Sequence, residues 1–185
     1  MSHVKLALGV VLCTLLMVPT AASAKPVKQG FGHTYPYASL LCKKAEAGKT
    51  PKRLAASTTE IVAACATLRA DFATAQTALK ATATTVRQDA AAAVKTLRAT
   101  CKQARIDKTP ATCKAALKVA RATVKTLRVQ ARTAIKAYHV AVDTARKAFW
   151  TTIKALPGAA SVKPDTTVPA DPSVSLPTDG ELASA

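Results

Sequence analysis

Between residues 57 and 156 the chain carries one proline, Pro110, and no glycine, and its apolar residues recur in alternating steps of three and four. Before the proline the series is Ile61, Cys65, Leu68, Phe72, Ala75, Leu79, Val86, Val94, Leu97, Cys101 and Ala104. After it the series is Leu117, Ala120, Val124, Leu127, Ala131, Ile135, Tyr138, Val142, Ala145, Phe149 and Ile153. Such steps place successive apolar side chains on one narrow stripe of an α-helix, the seam of a coiled coil. A phase slip interrupts the first series near Ala90. The pattern predicts two helices, residues 58–106 and 110–155, folded back on each other about residue 108. The first would be roughly 73 Å long at 1.5 Å per residue, and the second close to it. In that register Leu97 faces Ala120 and Leu127 faces the region of Ala90. Large residues opposite small ones let the helices approach closely.

Local signals mark the helix ends. Ser57-Thr58-Thr59-Glu60 reads as a capping box, with Glu60 reaching back to the Ser57 amide. Thr109 is placed to cap the next helix and Pro110 to begin it, and Pro157-Gly158 to end it. Upstream, Pro36 opens a short helix, residues 36–47, that Gly48 stops before a basic loop around Pro51. Its Tyr37, Leu40 and Leu41 are expected to cover Phe72, Tyr138, Phe149 and Trp150 at the open end of the hairpin, making a small three-helix core. An internal echo supports two equivalent turns. The ten residues from Cys42 to Pro51 match those from Cys101 to Pro110 at six positions, and both end in Lys-Thr-Pro; Val-Lys-Thr-Leu-Arg at 94–98 also recurs at 124–128. The fold class expected is therefore all-α: a long antiparallel two-helix coiled-coil hairpin spanning residues 36–156 with its short N-terminal helix at the open end. Residues 25–35 read as an irregular lead-in, and residues 157–185, rich in Pro, Ser, Thr and Asp, as a disordered tail.

Composition narrows the picture. The chain has 185 residues, 41 of them alanine and only seven aromatic, so helix forms easily while a large globular core does not. Residues 1–24 read as a secretory leader: Lys5, an apolar run over 6–18, and Ala22-Ser23-Ala24 as the cleavage site. The run is shorter than the about 20 residues a spanning helix needs. The expectation is export, to the periplasm or cell envelope or beyond, with cleavage near Ala24; the alternative is an uncleaved N-terminal anchor. Four cysteines then remain: Cys42, Cys65, Cys101 and Cys113. Cys65 and Cys101 lie on one helix about 54 Å apart, and Cys42 sits at the Cys65 end. The one workable pairing is Cys42–Cys65 with Cys101–Cys113, two disulfides that each clip a helical turn. His33 and His139 are far apart in sequence and no Cys-x-x-Cys occurs, so no metal and no cofactor is expected.

Charge changes the picture most. Residues 25–156 hold 25 Lys/Arg against six Asp/Glu, whereas residues 157–185 hold one Lys against four acids. The cations stand one residue after the seam positions: Lys80, Arg87, Lys95, Arg98, Lys102 and Arg105 in the first long helix, then Lys118, Arg121, Lys125, Arg128, Arg132 and Lys136 in the second, with Lys114 just before them. Equivalent flanks of an antiparallel pair lie on the same side. The two rows therefore merge into one basic face on the turn half of the hairpin, where residues 80–136 hold 14 Lys/Arg and two acids, Asp89 and Asp107. Lys95, Arg98, Lys102, Arg105, Lys114, Lys118, Arg121, Lys125, Arg128, Arg132 and Lys136 are the candidate polyanion-binding residues. The opposite flank carries Ala116, Val119, Thr123, Thr126, Gln130, Thr133, Ala137 and Val140 and is nearly uncharged. It suits self-association as well as it suits a neutral exposed face.

No catalytic set is found. Asp71, Asp89 and Asp143 are scattered single charges on helix surfaces, His139 reads as a half-exposed helix residue and not as a base, and no glycine-rich phosphate loop occurs. The chain is expected to be no enzyme and to take no small-molecule substrate. Three roles fit the pattern: a module binding nucleic acid, an anionic envelope polymer or acidic polysaccharide through its basic face; a structural or chaperone-like envelope protein holding other proteins on its helical arm; and a membrane-surface binder, for which the apolar stripe is narrow and already used by the seam. A merely solubilising charge coat is the alternative to the first.

Overall fold

Alanine-rich sequence without internal glycine or proline lets two helices run unbroken for 49 and 45 residues. The computed structural model describes residues 30–164, 174 and 176–184; the expected leader lies outside them. The helices are α1 (Phe31–Thr34), α2 (Pro36–Glu46), α3 (Thr58–Ile106), α4 (Pro110–Lys154) and α5 (Asp179–Ala183), with 3-10 turns at Lys52–Ser57 and Ala159–Ser161. No strand occurs among the described residues. α3 and α4 form the long antiparallel hairpin, with α2 packed beside α3 at the open end. Phe31–Thr34, within the expected lead-in, forms a single helical turn.

The tip of the hairpin is a Schellman turn. Thr109 N–H donates to the Ala104 carbonyl at 2.8 Å and Lys108 N–H to that of Arg105 at 3.4 Å, with Lys108 left-handed at φ 54°. α2 ends the same way at Gly48, φ 65°, where Lys49 N–H donates to Lys44 at 2.8 Å and Gly48 N–H to Ala45 at 3.0 Å. The echoed decapeptides thus make the same turn, but the left-handed residue stands one position later in the second copy. The expected caps differ. Neither Ser57 nor Thr109 makes a side-chain cap bond. Ser57 has φ −110° and ψ 23°, and Thr109 ψ 69°, short of the extended backbone that aims a capping oxygen at the first amides. The 3-10 turn runs directly into α3, and the backbone carbonyl of Thr109 takes the Thr112 amide at 3.1 Å.

Three apolar clusters fill the seam. The largest, at the open end, joins Leu41, Ile61, Leu68, Phe72, Tyr138, Val142, Phe149, Trp150 and Ile153 with Tyr35 of the N-terminal segment. Here α2 presents a different face from the expected one. Leu41 is buried, but Tyr37 and Leu40 are 59% and 51% exposed. The Cys42–Cys65 disulfide turns Cys42 inward, and Ala38 and Ala45 share its side of the helix at i−4 and i+3. Tyr37 and Leu40 fall on the opposite side. The covering aromatic is Tyr35, fully buried edge-on between Phe31 and Phe72 at 5.3 and 5.6 Å, with its hydroxyl donating to the Val142 carbonyl at 2.9 Å. Burial, with Tyr138 beside it, pushes that phenol well above its ordinary range. Gly158 closes this end. At φ 81° it lies against the Arg53 carbonyl, where any Cβ would collide.

The other two clusters are small. One is Val86, Ala90, Leu127 and Ala131; the other is Leu97, Ala120, Val124 and Leu182. The facing of Leu97 with Ala120 and of Leu127 with Ala90 follows the expected register. The phase slip is two successive four-residue steps, 86 to 90 to 94, with Ala90 itself buried. Alanine leaves the seam thin there. Val174 and Leu176 pack over that place, and Leu182 of α5 is 1% exposed in the next cluster. Parts of residues 157–185 therefore take defined structure. α5 carries a complete capping box, Thr178 with Glu181.

Candidate functional site

The candidate site is the flank of the hairpin one residue past the seam. Lys95, Arg98, Lys102 and Arg105 stand on α3 and Lys114, Lys118, Arg121, Lys125, Arg132 and Lys136 on α4, all exposed, while Arg128 on α4 is half-covered. Helical geometry produces this row without any special device: each seam residue is buried or partly buried, so its successor, turned 100° about the axis, emerges at the seam's edge. The C-terminal segment shows directly that the two rows converge. Arg128 Nη2 donates to the Pro177 carbonyl at 3.1 Å and lies 3.4 Å from Asp179 Oδ1. Lys95 and Arg98 of α3 line the same recess as Pro177, Glu181 and Ser184. The structure thus brings Lys95, Arg98 and Arg128 to one place. The other eight continue the rows, six towards the turn and two, Arg132 and Lys136, towards the open end. The α4 row from Lys114 to Lys136 spans about 33 Å.

Neutralisation is sparse on this half. Asp107 accepts two bonds from Gln103 at 3.0 and 3.1 Å and is occupied within its own helix turn. Among the described residues, the acid–base pairs between 80 and 136 reduce to Arg128 with Asp179. The open half differs. Glu46 holds Arg69 through two bonds, the longer at 3.0 Å, and Arg69 also lies 5.6 Å from the Phe31 ring centre. Asp143 pairs with Arg146 and, at 2.7 Å, with Lys147. Bonds from Lys147 and Arg146 hold the Asp143 carboxyl below its usual range. The Glu181 carboxyl of α5 is lowered too, by the Thr178 amide at 2.6 Å and then the Thr178 hydroxyl at 3.0 Å.

The opposite flank is less polar than its threonines imply. Thr123, Thr126 and Thr133 donate their hydroxyls to the carbonyls of Val119, Ala122 and Val129, four residues back, at 3.0–3.2 Å. The methyl groups then face outwards beside Val119, Val129 and Val140, which are 57–67% exposed. Towards the open end a groove of about 590 Å³ runs between α3 and α4, lined by Ala78, Leu79, Thr82, Ala134 and Ala141.

The two disulfides bracket the hairpin: Cys42–Cys65 at the open end and Cys101–Cys113 by the turn, with Cα separations of 5.7 and 4.5 Å. Such pairs are compatible with an oxidising environment. Among the described residues no helix is long and apolar enough to cross a membrane, and no three His, Cys, Asp or Glu side chains gather as metal ligands would. Two contributors stand outside the elements expected from the sequence. Tyr35 belongs to the expected irregular lead-in, although Tyr-Pro at the start of a helix places it one turn from Ala38 and Ser39. α5 lies within the Pro/Ser/Thr-rich tail, where Thr178-Asp179-Gly180-Glu181 followed by Leu182 is a capping-box pattern with an apolar anchor. Compared with known protein families, characterised proteins and solved structures, the chain matches none significantly.

Proposed function

We propose that this is an exported, non-enzymatic binding protein whose basic flank takes an extended polyanion: nucleic acid, an anionic envelope polymer or an acidic polysaccharide. The observation that carries the reading is the two-row series of exposed Lys and Arg over residues 95–136, set on rigid helices and left, among the described residues, almost without acidic partners. Cations fixed at roughly 5 Å intervals along a helix, one turn apart, give a linear array suited to a linear ligand. Contacts would be made to phosphates, sulfates or carboxylates, with counterion release as the driving term and little sequence selectivity. The basic half contains no aromatic residue, so stacking on single-stranded bases is not part of the reading. The paired cysteines support export, since disulfides persist outside the reducing cytosol.

The test is binding of oxidised protein, residues 25–185, to duplex DNA, heparin and anionic vesicles over a salt series. Engagement of six to eight phosphates predicts a loss of about 10³ to 10⁴ in affinity between 50 and 200 mM salt. Replacing Arg121, Lys125, Arg128 and Arg132 by glutamate should abolish it; unchanged binding by that variant would overturn the reading. The threonine flank supports a second reading, a helical arm that holds other proteins, because its hydroxyls are satisfied internally and its valines are exposed. A chain that stays monomeric and does not suppress aggregation of unfolded envelope proteins would remove it.

A further inference from the structure

α5 sits on the basic flank and not on the neutral one. Its Leu182 side chain fills the seam between Leu97, Ala120 and Val124, and the residue leading into it, Pro177, accepts from Arg128. Asp179 faces Arg128, and Glu181 borders the recess shared with Lys95 and Arg98. The segment is therefore an acidic, capped helix with one apolar anchor, seated among three of the candidate polyanion-binding cations. Taking the polyanion reading above as its premise, we propose that the C-terminal segment, residues 176–184, is a built-in competitor for the polyanion: it occupies the middle of the basic flank and is displaced when a longer anion binds.

The physical balance favours exchange over permanent attachment. A helix of five residues has no stability of its own and persists only while docked. Its hold on the flank is one buried leucine, an exposed ion pair and a carbonyl contact, together with Leu176 and, before it, Val174, partly buried against the neighbouring seam cluster. Exposed ion pairs are weak and screened by salt, so the apolar contacts supply most of the hold, Leu182 first among them as the one fully buried. A polymer bearing many charges engages the outer cations first, at Lys118, Arg121, Lys125 and Arg132, which the segment leaves uncovered. It then meets Arg128 only by replacing Asp179. While the segment is seated, the full site is available in only a fraction of molecules, and the apparent affinity falls by that fraction.

The test uses the chain of residues 25–185 with Leu182→Asp. This substitution separates two explanations by sign. It adds a negative charge, so net charge alone predicts weaker binding to heparin or duplex DNA. Loss of the anchor frees the flank and predicts tighter binding, by about tenfold or more at 50 mM salt. A synthetic peptide of residues 174–185 added in trans should return the variant towards wild-type affinity. Equal or weaker binding by the Leu182→Asp chain overturns the competitor and leaves the polyanion reading standing; binding by neither chain overturns both. A measurement on the unmodified chain guards against misfolding of the variant. The Leu182 amide, which donates to the Thr178 carbonyl at 3.1 Å, should lose hydrogen-exchange protection when heparin is added. Protection that persists at saturating heparin overturns the proposal.

Discussion

The two halves of the hairpin solve the same packing problem with different means. The open half is a small three-helix core. Tyr35, Phe72, Phe149 and Trp150 lie within it, α2 is stapled to α3 by Cys42–Cys65, and its cations Arg69, Arg146 and Lys147 have carboxylates beside them. The turn half has a seam one residue wide, with alanines at Ala90, Ala104, Ala120 and Ala131 and no aromatic. It is closed by the Cys101–Cys113 disulfide and by the docked C-terminal segment, and among the described residues its cations have one acidic partner, Asp179 on Arg128. The difference teaches where stability is placed. Aromatic area and paired charge hold the open half, while the turn half tolerates a dense field of like charge because the open half and a disulfide hold its helices together.

The largest effect that would sharpen this contrast comes from core truncation. Phe149→Ala should cost about 3–5 kcal/mol, whereas Leu97→Ala, facing Ala120 and Leu182, should cost about 2–3 kcal/mol. Denaturant melts of the two variants check this, and equal losses would break the distinction between the halves. Next come the disulfides. Replacing either cysteine pair by serine should cost about 3 kcal/mol by loop-closure entropy. The consequences should differ in place: without Cys42–Cys65 amides of α2 lose exchange protection, and without Cys101–Cys113 amides near the turn do, at lower salt more than at higher, since salt screens the repulsion there. The smallest effect is at Tyr35. Tyr35→Phe deletes the bond to the Val142 carbonyl and should cost about 1 kcal/mol near neutral pH. The folded-state phenol titrates above its unfolded value, so its contribution is full below about pH 10 and is lost as pH rises beyond it. Thermal melts of the two proteins should therefore converge at strongly alkaline pH; a constant gap would refute a buried neutral phenol.

Much of this was legible in the residues because it depends on near-neighbour geometry. Steps of three and four define a stripe whatever surrounds it, and the absence of breakers over residues 58–106 set the helix length that the structure repeats. That length in turn forced the cysteine pairing, since 54 Å of rigid helix separates Cys65 from Cys101 and leaves each with one partner in reach. The basic flank followed from the same periodicity, one residue out of phase with the seam. The caps expected at Ser57 and Thr109 do not form, for a local reason of a different kind: both residues match a composition rule, but their backbone angles depend on the turns that precede them, which composition does not specify.

What only the tertiary structure decided is the placement of the short pieces. α2, eleven residues long, and α5, five residues long, have too few hydrogen bonds to be stable alone, so the face each presents is chosen by what it can bury against. For α2 that choice turned Tyr37 and Leu40 outwards and brought Tyr35 in. For α5 it carried Leu182 to partners 58 to 85 positions earlier in the chain, Val124 and Leu97 among them, and set an acidic segment on the basic flank. Periodicity determines a long helix and its stripes because each turn repeats the last. The seat of a short helix is a long-range choice among apolar surfaces, and only the assembled hairpin presents those surfaces.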